Sequence, residues 1–210
     1  MRVIAIDGPA GSGKSTVAKA LAVRLNLDYL DTGAMYRAVA FAAIQEKIEP
    51  NDIKKITEVA ESLELELTEE SCVVNGVDAT KEIRGPEVTS LVSQIATMSE
   101  VRIEMVKRQR AWAESRDGGV MEGRDIGSVV FPDAMLKIYL TASEEVRAER
   151  RAAEVKEEDI ATVAADIERR DTVDTQRSTS PLIEAEDAIV VDTSEMTIEQ
   201  AVEYVIGLMP

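Results

Sequence analysis

Histidine is absent from all 210 residues of the chain. That gap excludes Ser-His-Asp triads, His-ligated metal sites and imidazole acid–base chemistry. Transfer onto a phosphate acceptor survives it. A phosphate monoester is already ionised near neutral pH and needs no general base in order to attack. Cysteine occurs once, at Cys72, so no intrachain disulfide can form and a reducing compartment fits. No apolar run approaches the length of a membrane span. Met1-Arg2-Val3 leads straight into a first strand, so no signal peptide is expected and the chain is read as cytoplasmic, with no membrane partner. Positive charge is also short: 24 Lys and Arg against 40 Asp and Glu leave a net charge of −16. Such a balance argues against nucleic acid as a partner, and an anionic ligand would need a concentrated basic pocket. Tandem repeats and low-complexity linkers are missing too. The length suits one α/β domain carrying insertions and is short for two independent ones.

What is present begins at the N-terminus. Ile4-Ala5-Ile6-Asp7 reads as an apolar strand, and the segment from Gly8 through Pro9, Ala10, Gly11, Ser12, Gly13, Lys14, Ser15 and Thr16 fits G-x-x-x-x-G-K-[ST]. Glycines let the backbone wrap an anion and aim successive N–H groups at it. Lys14 then reaches the outer phosphates of a nucleoside triphosphate, and Ser15 is the metal ligand expected for the Mg²⁺ that rides on them. Val17, Leu21 and Leu25 share one face of the helix that follows, whose positive end points at the same place.

Further along, Asp28–Gly33 reads as a short strand entering a turn, and Ala34–Gln45 as a helix. Between Glu49 and Arg84 a helical pattern gives way to alternation, with Asn75-Gly76 between β-formers as a hairpin signal. Pro86 suits the first turn of a new helix and Ser99 can N-cap the next. Gly119–Glu122 and Leu136–Leu140 read as strands, with the polar loop Gly123–Ser128 between them. Ser143 caps a helix holding Arg147, Arg150 and Arg151, and a second helix ends in Arg169-Arg170-Asp171. A last strand, Ala188–Asp192, precedes a closing helix, Thr197–Leu208. Strands alternating with helices imply a parallel sheet covered on both faces.

The GTPase tetrapeptide N-K-x-D is absent, which argues against a guanine-reading switch. Arginines instead recur at separated points: Arg37, Arg102, Arg124, Arg147/Arg150/Arg151, Arg169/Arg170 and Arg177. Two arginine-bearing helices joined by a charged loop form a natural lid over transferring phosphoryl groups. Arg150, Arg151 and Arg170 are therefore expected, with Lys14, to be catalytic.

Over nearly its whole length the chain resembles the bacterial-type cytidylate kinases. The resemblance rests on Gly8–Thr16, Leu30–Arg37, Glu82-Ile83-Arg84, Ser93–Ala96, Val101-Arg102, Arg108-Gln109-Arg110, Gly123–Gly127, Val129–Ala134 and the segment from Glu168 to Leu182. It implies a P-loop NTPase fold with a five-stranded parallel sheet flanked by helices, a small α+β insert and a short helical lid. Residues 1–37, 85–150 and 178–210 would form the P-loop core, 38–84 the monophosphate-binding region with its insert, and 151–177 the lid. The implied reaction is phosphorylation of CMP, and of dCMP, by ATP with Mg²⁺ in a monomer. Thr32, Arg37, Ser93, Arg102, Arg124 and Asp125 would face the monophosphate. Arg170, Asp174 and Arg177 would lie near its sugar and the phosphates. A carboxylate at Asp125 can accept from the cytosine N4 amino group while Arg124 donates to the neighbouring acceptors. Uracil would turn a carbonyl towards that carboxylate, a buried mismatch costing about 2–4 kcal/mol. Two features depart from the family pattern: Glu122 stands where aspartate is expected, and Val155-Lys156-Glu157-Glu158-Asp159 is more acidic and poorer in glycine than a lid loop. Two other readings remain open from the residues alone. One is a P-loop kinase for UMP, AMP or shikimate, and the other is an ATP-dependent regulator without acceptor turnover.

Overall fold

A computed structural model describes residues 1–154 and 159–210, so four of the five acidic-loop residues singled out above lie outside the described residues. Those that are described form two compact units, one comprising Met1–Tyr29 and Ala113–Pro210, the other Leu30–Trp112.

In the first unit β1 (Arg2–Asp7) is buried from Val3 onward, as a central strand covered on both faces must be. It pairs in parallel with β6 (Gly118–Gly123) and β7 (Leu136–Thr141), and β7 pairs in parallel with β8 (Ile189–Asp192). With β2 (Tyr29–Asp31) the described strands give a five-stranded sheet in the order β2-β6-β1-β7-β8. Helices α1 (Lys14–Leu25) and α8 (Ile198–Gly207) cover it through Val17, Leu21, Val202 and Val205, which pack on Ile4, Ile6, Ile138 and Val191. Burial of these branched side chains is the main stabilising term. Thr197 and Gln200 close a capping box on α8.

Also in this unit are α6 (Glu144–Glu154) and α7 (Ile160–Gln176). Val146 N–H donates to Ser143 Oγ at 3.3 Å, the cap expected for α6. Helix α7 runs five residues past the expected stop at Asp171, because no glycine or proline interrupts Ile160–Gln176; Asp174 therefore sits on its last turns. The segment expected as a polar loop after β6 contains a π-helical turn, Ile126–Val130.

In the second unit α2 (Thr32–Gln45) and α3 (Ile53–Ser62) are followed by β3 (Leu65–Leu67), β4 (Cys72–Val74) and β5 (Val77–Asp78), an antiparallel sheet in the order β3-β4-β5. Asn75 and Gly76, at φ 50° and 78°, make the two-residue turn that the Asn-Gly signal predicts. Helix α4 (Pro86–Ile95) starts on its proline. Helix α5 (Ser99–Glu114) has Ser99 as its first residue, whose Oγ donates to Glu100 at 2.9 Å instead of capping the helix. The structure groups α4 and most of α5 with the insert, whereas the sequence reading groups 85–112 with the P-loop core. Polar side chains explain the grouping. Gln94 donates to the Pro50 carbonyl at 3.0 Å, and Arg108 donates to the carbonyls of Leu63 and Glu61 at 2.7 and 3.0 Å.

Among the described residues no helix is long and apolar enough to cross a membrane.

Candidate active site

The strands of the first unit end in functional groups. At the end of β1, Gly8 takes φ 149°, and a Cβ there would lie 2.0 Å from the Leu140 carbonyl oxygen, so only glycine fits. Gly13 is the N-cap of α1 and supplies no side-chain hydrogen bond to the helix. The first N–H groups of α1 and the positive end of its dipole are thus presented to an anion. Lys14 is buried, and its Nζ donates to the Pro9 carbonyl at 2.6 Å and to Ser12 Oγ at 3.2 Å. Burial pulls its ammonium down to about 7, helped by the Arg124 guanidinium and opposed by Glu122, Asp171 and Asp7. A polyanion bound here would supply the negative charge that this buried cation lacks.

Glu122 closes β6. Its carboxylate accepts from Ser15 Oγ at 2.9 Å and from the Tyr29 hydroxyl. One carboxylate oxygen serves each hydroxyl. Among the described residues no cluster of three or more His, Cys, Asp or Glu could hold a metal ion by itself. One hydroxyl and one carboxylate, both hard oxygen donors, fit a Mg²⁺ that takes its remaining ligands from phosphate and water.

Asp7, the last residue of β1, is a site residue with no sequence signal beyond the strand that it ends. Its two oxygens accept from Ile126 N–H at 2.9 Å and Gly127 N–H at 2.7 Å, which fixes the π-helical turn. Burial pushes its carboxyl up to about 6, against those two N–H groups.

Arg124 and Asp125 precede that turn, and the structure brings them together with Asp174 and Arg177. Arg124 Nε donates to Asp174 Oδ2 at 2.8 Å, and Arg177 lies 3.6 Å from both Asp174 and Asp125. Arg177 Nε donates to the Ser180 carbonyl at 2.6 Å. Burial acts to lower the Arg124 pKa, but Asp174 outweighs it and the net direction is up. Burial, with Arg124 next, lowers that of Arg170.

Of the arginines on α6, Arg150 reaches the P-loop: it donates to the Ser12 carbonyl at 3.3 Å, to Thr193 Oγ1 at 2.9 Å and to the Thr193 carbonyl at 2.8 Å. Arg151 Nη1 instead donates to Glu154 on its own helix at 2.8 Å. Beside the P-loop lies a cavity of about 530 Å³, lined by Gly11–Gly13, Thr16, Arg150, Thr193, Met196 and Ile198 among others. No sequence motif marks its β8–α8 wall.

In the second unit Thr32 is buried at the start of α2, which Asp31 caps by accepting from Ala34 N–H at 2.9 Å. Arg37 donates to the Ile83 carbonyl at 3.0 Å and to Thr89 Oγ1 at 2.9 Å. Arg102, also buried, donates to the Ala96 carbonyl at 3.1 Å and lies 5.4 Å from the centroid of the Tyr36 ring. Ser93 is half-buried on α4.

Comparison with known proteins agrees with this architecture. The family profile described as cytidylate kinase matches residues 4–210. The cytidylate kinase of Desulforamulus reducens is 49% identical over 212 residues, covering 98% of this chain and 95% of that protein. That of Alkaliphilus oremlandii is 46% identical, covering 98% and 96%, and that of Corynebacterium glutamicum 45% identical, covering 99% and 94%. Among solved structures, an uncharacterized protein of Eubacterium ventriosum has a TM-score of 0.58 at 15% identity, covering 99% of this chain and 97% of that one. Shikimate kinase from Acinetobacter baumannii has a TM-score of 0.50 at 12% identity, covering 99% and 92%. Likeness at such identities concerns the fold alone. The sequence relationship goes further: this chain belongs to the cytidylate kinase family.

Proposed function

We propose that the protein transfers the γ-phosphate of ATP to CMP and dCMP, yielding ADP and the corresponding diphosphate, within pyrimidine nucleotide metabolism in the cytoplasm. The observation that carries this reading is the P-loop with its uncapped helix in the same unit as the Arg124–Asp125–Asp174–Arg177 network. One feature suits a triphosphate, and the other a polar base with adjacent donor and acceptors.

In this reading Gly8–Thr16 cradle the triphosphate, and the cavity beside Arg150 and Thr193 takes its nucleoside end. An ionised oxygen of the CMP phosphate attacks the γ-phosphorus in line. The new O–P bond forms as the bond to the β–γ bridging oxygen breaks, and ADP leaves with that electron pair. No proton has to be removed from the nucleophile, which fits a chain without histidine. Lys14, Arg150, Arg151 and Arg170 neutralise charge developing on the transferred group. For Arg151 this requires release from Glu154. Arg37 and Arg102 hold the acceptor phosphate in two-pronged fashion, with Thr32 and Ser93 beside it. Asp125 accepts from the cytosine amino group, Arg124 donates to its acceptors, and Asp174, Arg177 and Arg170 serve the sugar and phosphates. Ser15, with Glu122 behind it, would hold Mg²⁺, which would supply neutralisation of phosphate charge when bound. Residues 38–84 serve as the monophosphate-binding region and 151–177 as the lid. The protein acts as a monomer, without nucleic-acid or membrane partners.

A coupled ADP-release assay with CMP, dCMP, UMP, AMP and shikimate tests the proposal. Turnover stimulated foremost by the cytidine monophosphates is expected. A preference for another acceptor overturns the substrate assignment, and ATP binding without acceptor-stimulated turnover overturns the reaction.

A further inference from the structure

One P-loop residue has both of its backbone polar groups taken by the two helices that follow β7. Ala10 N–H donates to Asp171 Oδ1 at 2.8 Å, and the Ala10 carbonyl accepts from Arg147 Nη1 at 3.0 Å. Arg147 and Asp171 also pair with each other, so three residues close a ring across 161 positions of sequence. The Ala10 methyl enters a small apolar cluster with Val163 and Ile167, against which Ala152 packs. At the next residue, Gly11, a Cβ would stand 2.8 Å from the Arg147 carbonyl oxygen, so α6 presses directly on the loop.

We infer that Arg147 and Asp171 are positioning residues that hold the Pro9–Ala10–Gly11 stretch in its anion-receiving shape. The inference rests on the reading of the P-loop as a triphosphate site. A P-loop receives phosphate by turning N–H groups inward, and an inward carbonyl would repel the ligand. The Arg147 donor keeps the Ala10 carbonyl turned to the helices. Asp171 places a carboxylate beside an anion site, which is tolerable only while a guanidinium neutralises it. Arg147 meets both needs, and its planar fork, unlike an ammonium, can address a carbonyl and a carboxylate at once. Neither residue is needed to touch the nucleotide.

The test is the double variant Arg147→Met, Asp171→Asn, which removes the ring without changing net charge. ATP binding is measured by calorimetry, KM for ATP and for CMP by the coupled assay, and exchange of the Ala10 amide region by mass spectrometry. The Kd and KM for ATP should rise about tenfold, as expected for loss of charge-assisted bonds, with KM for CMP within about twofold and faster exchange over residues 8–12. ATP affinity within about twofold of the parent overturns the inference, as does a parallel rise in both KM values with a lowered melting temperature. Should the double variant not fold, Arg147→Lys carries the test: the charge stays but one ammonium cannot bridge both groups, so ATP affinity should fall at least about threefold, and no change overturns the inference. Failure of the underlying reading looks different, since the unaltered protein would then bind no ATP.

Discussion

Arg124 Nε donates to Asp174 Oδ2 at 2.8 Å, joining the residue after β6 to the last turns of α7. Asp174 also faces Arg177, which faces Asp125 in turn, so signs alternate through the network. Losing one member leaves a partly buried charge without its counterpart. Asp174→Asn should therefore lower kcat/KM for CMP by about tenfold to a hundredfold, or about 1.5–3 kcal/mol, with KM for ATP little changed. Steady-state kinetics with each substrate varied separately check this. Equal losses on both sides would assign Asp174 to general stability.

Lys14→Ala should remove turnover almost completely, by about a thousandfold or more, as loss of a phosphate-facing cation in a dry site does. Circular dichroism of the variant should match the parent, because Lys14 makes its bonds within the loop and not with the sheet.

Glu122→Asp shortens a side chain that now spans Ser15 Oγ and the Tyr29 hydroxyl. At saturating ATP the Mg²⁺ concentration for half-maximal activity should rise about tenfold, the low end of what disturbing an outer-shell partner costs. Chelation of Mg²⁺ should stop the parent enzyme outright. A titration indistinguishable from the parent would separate Glu122 from the metal.

Asp7 gives a pH signature. Its folded-state pKa, raised to about 6, means that the native state holds a proton which the unfolded chain has already lost. The associated stabilisation is complete below the ordinary aspartate range and disappears as pH rises through about 6. Relative to Asp7→Asn, parent stability should thus fall by about 2.4 kcal/mol between pH 4 and pH 7. Urea unfolding of both proteins across that window checks the sign. The carboxyl carbon of Asp7 should titrate with a midpoint near the same pH.

Gly8→Ala should cost about 3 kcal/mol or more of stability, since the added methyl meets the Leu140 carbonyl oxygen and the backbone is held at positive φ. Chemical denaturation measures it.

How legible was this in the chain? The P-loop, the Asn75-Gly76 turn, Pro86 and the apolar strands carry local signals, because each depends on backbone preferences within a few residues. The polar residues and weak periodicity of Thr172–Gln176 hide the last turns of helix α7, although nothing there breaks a helix. The ring at Ala10 could not be read from spacing, because Asp171 finds its partner only once β7, α6 and α7 have packed. The same holds for the Asp7 contacts with Ile126 and Gly127, 119 and 120 residues away. The wall of the cavity formed by Thr193, Met196 and Ile198 consists of residue types with no motif of their own. Local chemistry was written in the sequence; the long-range closures that aim it were not.

Helix α1 begins on a glycine that gives it no cap. No side chain at the N-cap competes for its opening amides, so an anion bound there would add its binding free energy to the stability of the fold. A preparation stripped of nucleotide should therefore unfold first, with each tenfold increase in a saturating ligand adding about 1.4 kcal/mol of resistance to unfolding.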